Sequence, residues 1–293
     1  MKNRLIDAKR IVIKIGSSLL VDNESGEIQE DWLDSLACDL SHFRARGQEI
    51  MVVSSGAIAL GRRKSGLLST RSLRLEESQA AAAVGQILLA HAYQHILERH
   101  NLNIAQILLT LEDTEHRRKH LNARNTLNQL LKLGVVPVIN ENDTVATSEI
   151  RFGDNDRLAA RVAAMTSTDC LILLSDIDGL YDSDPRQNPT ALHIAEVSEI
   201  TEDIKAMAGS APAGYSSGGM ITKLDAANIA MDGGCDMVIT DGKCIQPLSM
   251  LMRGGRATWF NANSSPRKAR KKWIAGMVKT TGEITVDNGE KTC

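Results

Sequence analysis

Two lysines, together with carboxylates and amides, are the residues of this chain whose types and spacing suit the handling of phosphate groups. One lysine ends the run Ser217, Gly218, Gly219, Met220, Ile221, Thr222 and Lys223. Glycines let backbone N–H groups approach a ligand, a helix N-terminus favours negative charge, and lysine adds a mobile positive charge. The Walker A spacing G-x-x-x-x-G-K-[ST] does not occur in the sequence. The run therefore predicts phosphate binding in some other fold, with a plain Gly-Gly turn as the alternative.

The other lysine, Lys14, lies within the apolar segment 10–15 and is followed closely by Gly16. Burying an ammonium group is costly unless the group is paired. A buried Lys14 should therefore face an anion, whereas a lysine on an edge strand would simply reach solvent. The glycine turn beside it favours the first interpretation.

Carboxylates and amides are dense at two places. Positions 140–143 read Asn-Glu-Asn-Asp directly after an apolar strand, and positions 153–156 read Gly-Asp-Asn-Asp before a helix. Such groups can hold a substrate ammonium group, carry Mg²⁺ or orient lysines. Helix capping by Asp154 or Asn155 is the alternative for the second cluster. Two clusters so close together make a purely capping role the less favoured hypothesis.

Two further polar segments follow apolar strands. Ser54-Ser55-Gly56-Ala57 brings hydroxyls and free N–H groups together, which suits an oxyanion, but its spacing alone favours a plain helix N-cap. The loop 175–186 begins with Ser175 and Asp176, which could hold a nucleotide; a solvated acidic loop is the alternative. Its weak likeness to a calcium loop is rejected, because the required glycine and final glutamate are missing.

Histidines and cysteines add no candidate site. The pairs His91/His95 and His116/His120 lack the glutamate of an H-E-x-x-H zinc site, so we interpret them as surface residues. The five cysteines contain no C-x-x-C pair, which predicts reduced thiols.

Short apolar segments alternate with amphipathic ones, which predicts an α/β fold with a largely parallel sheet. The predicted strands are 10–15, 49–53, 104–109, 135–139, 170–174, 236–240 and 258–260, with a hairpin at 144–152 and a lone strand at 284–286. The predicted helices are 31–46, 76–101, 123–132, 156–165 and 220–231. Ligands bind beyond the carboxyl ends of parallel strands, and the polar segments above follow such ends.

Composition argues against several classes of protein. A formal charge of −2 gives no case for nucleic-acid binding by the whole chain, and 3% aromatic residues are too few for a base-stacking platform. No uncharged apolar run approaches the roughly 18 residues of a membrane span, and the N-terminus has no apolar signal core. We therefore expect a cytoplasmic protein with neither membrane nor nucleic acid as its partner.

The composition changes after Phe260. Polar residues 261–266 precede the basic run 267–272, and about 30 residues are too few for an independent core. We expect one domain over 1–262, then a linker and the start of an incomplete second domain over 263–293. The basic run suits RNA contact or a solvated linker about equally.

Taken together, the motifs resemble those of the amino acid kinase superfamily over roughly residues 8–262. They are Lys14-Ile-Gly-Ser-Ser, Ser54-Ser-Gly-Ala-Ile-Ala-Leu-Gly61, Pro137-Val-Ile-Asn-Glu-Asn-Asp143, Gly153-Asp-Asn-Asp156, Leu174-Ser-Asp176 with Gly179-Leu-Tyr181, and Gly218-Gly-Met-Ile-Thr-Lys223. The tail 270–287 is similar to the start of a PUA domain. The resemblance implies an open αβα sandwich with a largely parallel central sheet. It also implies ATP-dependent phosphorylation of the γ-carboxylate of L-glutamate, the first step of proline biosynthesis.

The resemblance implies roles for the motif residues as well. The catalytic group would be Lys14, Lys223 and Asp156, with the carboxylate holding the lysines in place. Glutamate would be bound by Ser55, Asp143, Asn155 and Asp154. ATP would be bound by Lys14, Ser175, Asp176 and the run Ser217, Gly218, Gly219, Met220, Ile221, Thr222 and Lys223. No protein-only metal site is expected, because Mg²⁺ would be bound mainly by the phosphates.

Partners implied by the resemblance are proline as a feedback inhibitor, a second copy of the chain in a homo-dimer or tetramer, and functional coupling to γ-glutamyl phosphate reductase. Two alternatives remain open. A kinase of the same fold could use N-acetylglutamate, aspartate, carbamate or UMP, although the paired polar clusters favour an acceptor with a free ammonium group. A protein of another class would sense an amino acid or nucleotide and bind RNA through its tail.

Overall fold

The computed structural model describes residues 4–22, 24–67, 73–145, 155–209 and 219–264. Its strands are β1 (Arg10–Ile15), β2 (Glu49–Ser54), β3 (Ile104–Leu109), β4 (Val136–Glu141), β5 (Cys170–Ser175), β6 (Leu180–Tyr181), β7 (His193–Ile194), β8 (Glu196–Val197), β9 (Asp236–Asp241) and β10 (Ala257–Phe260). Its helices are α1 (Arg4–Asp7), α2 (Ser17–Leu20), α3 (Glu30–Ala45), α4 (Ala57–Lys64), α5 (Leu75–Arg99), α6 (Leu111–Glu115), α7 (Arg117–Lys132), α8 (Asn155–Thr166), α9 (Glu202–Gly209), α10 (Met220–Asp232) and α11 (Pro247–Met252).

Eight strands form one sheet in the order β3-β4-β2-β1-β5-β9-β10-β8, and β6 pairs with β7 in a separate ribbon. Neighbours in the large sheet are parallel, except β9 with β10. The register pairs Ile15 with both Ser54 and Leu174, and Ser175 with Asp241. The carboxyl ends of the central strands therefore meet at one edge of the sheet, where open parallel sheets bind their ligands.

Strand β1 shows how both faces of the sheet are covered. Ile11, Ile13 and Ile15 belong to a core shared with α3 and α5, whereas Val12 belongs to a core shared with α8 and α10. Because successive side chains of a strand point to opposite faces, Lys14 lies on the same face as Val12. Helices on both faces of a mostly parallel sheet confirm the expected αβα sandwich.

Helices α4 and α5 contact one another through their backbones. A Cβ atom on Gly61 would lie 1.7 Å from the carbonyl oxygen of Ala81, and one on Gly85 would lie 1.7 Å from that of Ala57. Only glycine leaves room for so close an approach. The two glycines therefore fix α4, which follows directly from β2, against the long helix α5.

The predicted strands over 10–260 are all present, with ends that agree within two residues. Four of the five predicted helices agree equally well. Helix α7 begins at Arg117, whereas the sequence predicted a start at Ala123. The prediction missed this part of the helix because its first turns are polar and show no apolar periodicity. The shortest elements, such as α2, α6 and β6–β8, were not predicted, since two to five residues are too few to show a period.

Some expectations concern residues outside the described ranges. The hairpin at 144–152 lies outside them from residue 146 onward, and so do the lone strand at 284–286 and the PUA-like tail. The domain boundary at 262 consequently stays a prediction. Cys170 and Cys235 are buried. His91, His95 and His116 are exposed, as predicted, whereas His120 is half-buried.

The sequence also predicts that no segment spans a membrane. Among the helices of the described ranges, none combines the length and the apolar character that crossing a bilayer requires.

Replacing Gly61 by alanine should lower the free energy of unfolding by about 2 kcal/mol or more, because the added methyl group must separate α4 from α5. Urea unfolding measures the effect. Gly209→Ala is the control, since a Cβ atom there meets nothing within 4 Å among the residues that the structure describes. Equal unfolding midpoints for the two variants would contradict the backbone contact.

Candidate active site

Lys14, Asp156 and Lys223 form a buried ionic group at the carboxyl edge of the sheet. Lys14 Nζ lies 2.6 Å from Asp156 Oδ1, and Lys223 Nζ lies 3.1 Å from Asp156 Oδ2. Thr222 Oγ1 also donates to Asp156 Oδ2, at 3.2 Å. The three charged residues are at most 7% exposed. The two lysines identified in the sequence therefore share one carboxylate.

Three separate elements bring this group together. Lys14 is in β1, Asp156 is in the first turn of α8, and Lys223 is in the first turn of α10. Burial alone would raise the pKa of Asp156, but the two ammonium groups outweigh it and hold the pKa at about 2. Two ammonium groups against one carboxylate leave a surplus positive charge, which suits an incoming anion.

Lys14 does not lie on an edge strand. Strand β1 pairs with β2 on one side and with β5 on the other, so it is central in the sheet. The edge-strand alternative is wrong, and the expectation that a buried Lys14 faces an anion is confirmed by its contact with Asp156.

Asn155 connects the ends of β2 and β4. Its Nδ2 donates to Ser54 O at 3.0 Å, to Ser55 Oγ at 2.9 Å and to Asn140 Oδ1 at 3.1 Å. Three acceptors around the NH₂ group define the orientation of the amide, so Oδ1 faces away from them. This oxygen is buried and has no hydrogen-bond partner within the described ranges. Buried acceptors are normally satisfied, and a ligand that donates would satisfy this one.

Asp143 is a second buried acceptor in the same region. It is 7% exposed, and burial, with a smaller contribution from the charge of Glu141, raises its pKa to about 7. No ion pair reaches Asp143 from the part of the chain that the structure describes. A cation placed beside this carboxyl group would favour its ionised form.

Both acceptors line a cleft of about 610 Å³. Ser17 and the segment 55–59 line it at the ends of β1 and β2, and Asn140, Asp143 and Asn155 line it at the end of β4 and the start of α8. Its volume is in the range of small-molecule sites. Three of the predicted glutamate-binding residues, Ser55, Asp143 and Asn155, are thus brought together.

The predicted nucleotide-binding residues lie at the end of β5 and the start of α10. Ser175 is buried and its Oγ donates to Asp176 Oδ1 at 3.2 Å, while Lys243 Nζ donates to Asp176 O at 2.7 Å. Gly219 is the extended N-cap of α10, and Ile221 in the first turn is 56% exposed. Asp154, Ser217 and Gly218 lie outside the described residues, so their roles stay predictions.

The N-cap interpretation of the segment 54–57 is wrong, and the capping alternative at α8 is wrong for Asn155, while Asp154 lies outside the described residues. Gly56, with a φ of +101°, is the N-cap of α4, and no side chain in the described ranges caps that helix. Ser55 Oγ instead accepts a hydrogen bond from Asn155. Asn155 likewise uses its amide on neighbouring strands rather than on the N-terminus of α8. In both cases a tertiary contact replaces the local one.

Sequence reasoning named Asn140 only as a member of the polar cluster 140–143 and assigned no role to Gln86 or Tyr93. Asn140 Nδ2 donates to Gln86 Oε1 at 2.9 Å, and Tyr93 OH donates to Ser54 Oγ at 2.9 Å. Gln86 and Tyr93 are two turns apart on α5 and share one face of it. This spacing of two polar side chains on one face, in a helix otherwise rich in alanine and leucine, was the available sign that the face contacts the site.

The chain belongs to the amino acid kinase family, whose family model matches residues 9–241. The fold is consistent with this family, because helices cover both faces of a mostly parallel sheet. The lysine–carboxylate–lysine group at the carboxyl ends of the strands is consistent with a phosphate-handling enzyme of this class. Among curated proteins, the chain is 60% identical over 285 residues to the glutamate 5-kinase of Paramagnetospirillum magneticum, an alignment covering 97% of this chain and 76% of the relative. It is 57% identical over 288 residues to the glutamate 5-kinase of Gluconobacter oxydans, covering 98% and 76%.

Solved structures of low sequence identity share the fold. The UMP kinase of Ureaplasma parvum superimposes with a TM-score of 0.62 at 17% identity, covering 86% of this chain and 98% of that one. The carbamate kinase of Giardia lamblia bound to AMP-PNP gives a TM-score of 0.61 at 16% identity, covering 88% and 100%.

Replacing Asp143 by asparagine should stabilise the free protein by an amount that grows with pH. Because the pKa of Asp143 is raised to about 7, stability contributed by its protonated form is lost as the pH rises from about 4 to about 7. The stability advantage of Asp143→Asn should increase over that range, by on the order of 4 kcal/mol, and then level off.

Urea unfolding at several pH values measures this advantage. Asp232→Asn, at an exposed position near the end of α10, should show no comparable increase. A constant difference between Asp143→Asn and the unsubstituted protein from pH 4 to pH 8 would contradict the raised pKa.

Proposed function

We propose that this chain transfers the γ-phosphoryl group of ATP to the γ-carboxylate of L-glutamate, giving L-glutamyl 5-phosphate in the first step of proline biosynthesis. The observation that carries the proposal is the buried, unsatisfied Oδ1 of Asn155, in a cleft with Asp143 and one residue from Asp156 of the lysine pair. Likeness to glutamate 5-kinases over nearly the whole chain supports the same reaction.

The α-amino group of glutamate would bind between Asp143 and Asn155. An ammonium group has three N–H donors, which suit the carboxyl group of Asp143 and the free Oδ1 of Asn155. Ser55 and the first N–H groups of α4 offer donors for the α-carboxylate. Both charged groups of an α-amino acid would then be recognised at the ends of β2 and β4.

The chemical step needs positioning and charge stabilisation more than proton transfer. A carboxylate is already a nucleophile, so no general base is required. Lys14 and Lys223 would neutralise charge on the oxygens of the transferring group, as preorganised positive groups do in phosphoryl transfer. Asp156 would keep the two ammonium groups apart, one on each of its oxygens.

ATP would be held by Ser175, Asp176 and residues 219–223, joined by Ser217 and Gly218. The N-terminus of α10 suits phosphate because its free N–H groups carry partial positive charge. Within the described ranges, no group of three or more His, Cys, Asp or Glu side chains could hold a metal ion. Mg²⁺ would therefore arrive on the nucleotide phosphates and neutralise part of their charge.

Regulation and assembly are part of the proposal. Proline also carries a cationic α-nitrogen, a secondary amine with two N–H donors, and an α-carboxylate, so it could occupy the contacts of Asp143 and Asn155 and inhibit by competition. We also propose a homo-oligomer, a cytoplasmic location where ATP is supplied, and delivery of the product to γ-glutamyl phosphate reductase. The tail motif supports residues 263–293 as a linker and the beginning of a PUA-like domain.

Other functions are less favoured. N-acetylglutamate, carbamate and UMP lack the free ammonium group that Asp143 and Asn155 suit, and aspartate is one methylene shorter. A non-catalytic sensor with an RNA-binding tail finds no support among the kinases that this chain resembles.

ATP-dependent hydroxamate formation in the presence of hydroxylamine tests the acceptor. Product is expected with L-glutamate and not with N-acetyl-L-glutamate or L-aspartate, because an acyl phosphate reacts with hydroxylamine. Product with another acid alone would overturn the acceptor but keep the chemistry. No product with any acid, despite ATP binding, would favour the sensor.

Lys223→Ala should lower kcat by roughly a hundredfold or more, because positive charge at the reacting phosphoryl group is lost. Circular dichroism checks that the fold is retained. Lys205→Ala is the control, since this exposed lysine of α9 forms a surface ion pair with Glu202. Turnover of Lys223→Ala within a few fold of the control would contradict the assigned role.

A further inference from the structure

Three side-chain amides form a hydrogen-bonded line from helix α5 to the cleft. Asn155 Nδ2 donates to Asn140 Oδ1 at 3.1 Å, and Asn140 Nδ2 donates to Gln86 Oε1 at 2.9 Å. Asn155 and Asn140 are 4% and 2% exposed and both line the cleft. Gln86 is half-buried and lies behind Asn140, at the far end of the line from the cleft.

One donor in this line cannot be reversed. The backbone N–H of Glu141 donates to Asn140 Oδ1 at 2.9 Å, and a backbone N–H cannot accept. The oxygen of Asn140 must therefore face Glu141 and Asn155, and its NH₂ group must face Gln86. Gln86 then presents its oxygen as the acceptor. A rotated Asn140 amide would oppose NH₂ to NH₂ at Asn155 and lose the bond from Glu141.

The same line acts together with the backbone carbonyl of Ser54 and the hydroxyl of Ser55 to determine which atom Asn155 presents to a ligand. The oxygen of Asn140 is one of three acceptors around Asn155 Nδ2, so the Asn155 oxygen is the atom left without a partner in the described ranges. We propose that Gln86 is a positioning residue for the substrate amino group, acting through Asn140 and Asn155 without touching the substrate. The inference rests on the proposed function. It identifies Gln86 as a residue that influences the affinity of the cleft for L-glutamate.

Helix α5 is firmly placed for this role. Gly85, next to Gln86, is in close backbone contact with Ala57 of α4. Tyr93, two turns further along, donates to Ser54 at the end of β2. The helix is thus tied to the two elements that flank Ser55, which restrains any shift of Gln86 relative to the cleft.

Gln86→Leu keeps the size of the side chain and removes the acceptor. The KM for L-glutamate should rise about fivefold, as expected for one lost hydrogen bond in a buried network. The KM for ATP and kcat should stay within about twofold, because neither the ionic group nor the start of α10 is altered. Gln86→Glu retains an oxygen that accepts the same bond and should return the KM for L-glutamate to within about twofold of the unsubstituted protein.

Gln129→Leu is the matched control, because it makes the same substitution at an exposed position of α7. The unsubstituted protein must first form hydroxamate with L-glutamate, and failure there would overturn the proposed function itself. With that activity present, an unchanged KM for L-glutamate in Gln86→Leu would overturn the positioning role alone. Equal rises in KM for ATP and L-glutamate, with no recovery in Gln86→Glu, would also overturn it. A rise for L-glutamate only, reversed in Gln86→Glu, would support it.

Discussion

The carboxylate of Asp156 is the interaction on which the rest of the site depends. Two lysines buried beside the carboxyl ends of the central strands repel each other, and each is costly to remove from water. Asp156 offsets both penalties because it contacts one ammonium group with each oxygen. These two contacts require the first turn of α8 to lie beside both the end of β1 and the first turn of α10. A single ionic group therefore constrains three elements that are far apart in the chain.

The adjacent residue extends this constraint to the cleft. Asn155 and Asp156 are neighbours in the first turn of α8, yet Asn155 faces the ends of β2 and β4 while Asp156 faces β1 and α10. One turn of helix thus sets the distance between the acceptor cleft and the positive charges. Reactions that depend on orientation are sensitive to displacements of about 1 Å. The shared turn keeps the acceptor cleft and the two lysines at a fixed distance from each other.

The parts of the structure that the sequence predicts are those with local patterns. Alternating apolar segments predict the sandwich, and an ammonium group within an apolar strand predicts an anion opposite Lys14. The identity of that anion came from the family resemblance, because residues 14, 156 and 223 have no spacing that links them. Ser55 was interpreted as a helix cap because the local rule ignores a distant amide. Gln86 gave only a weak signal, its two-turn spacing from Tyr93, because an alanine-rich helix looks alike whichever polar residue faces the site.

The raised pKa of Asp143 connects ligand binding to proton release. Near neutral pH this carboxyl group is protonated in a sizeable fraction of empty molecules. An amino group that enters beside it favours the carboxylate, so a proton leaves as the amino acid arrives. The heat measured on binding would then include the ionisation heat of whichever buffer takes up that proton. Calorimetric traces in phosphate and in Tris would differ, although the complex formed is the same.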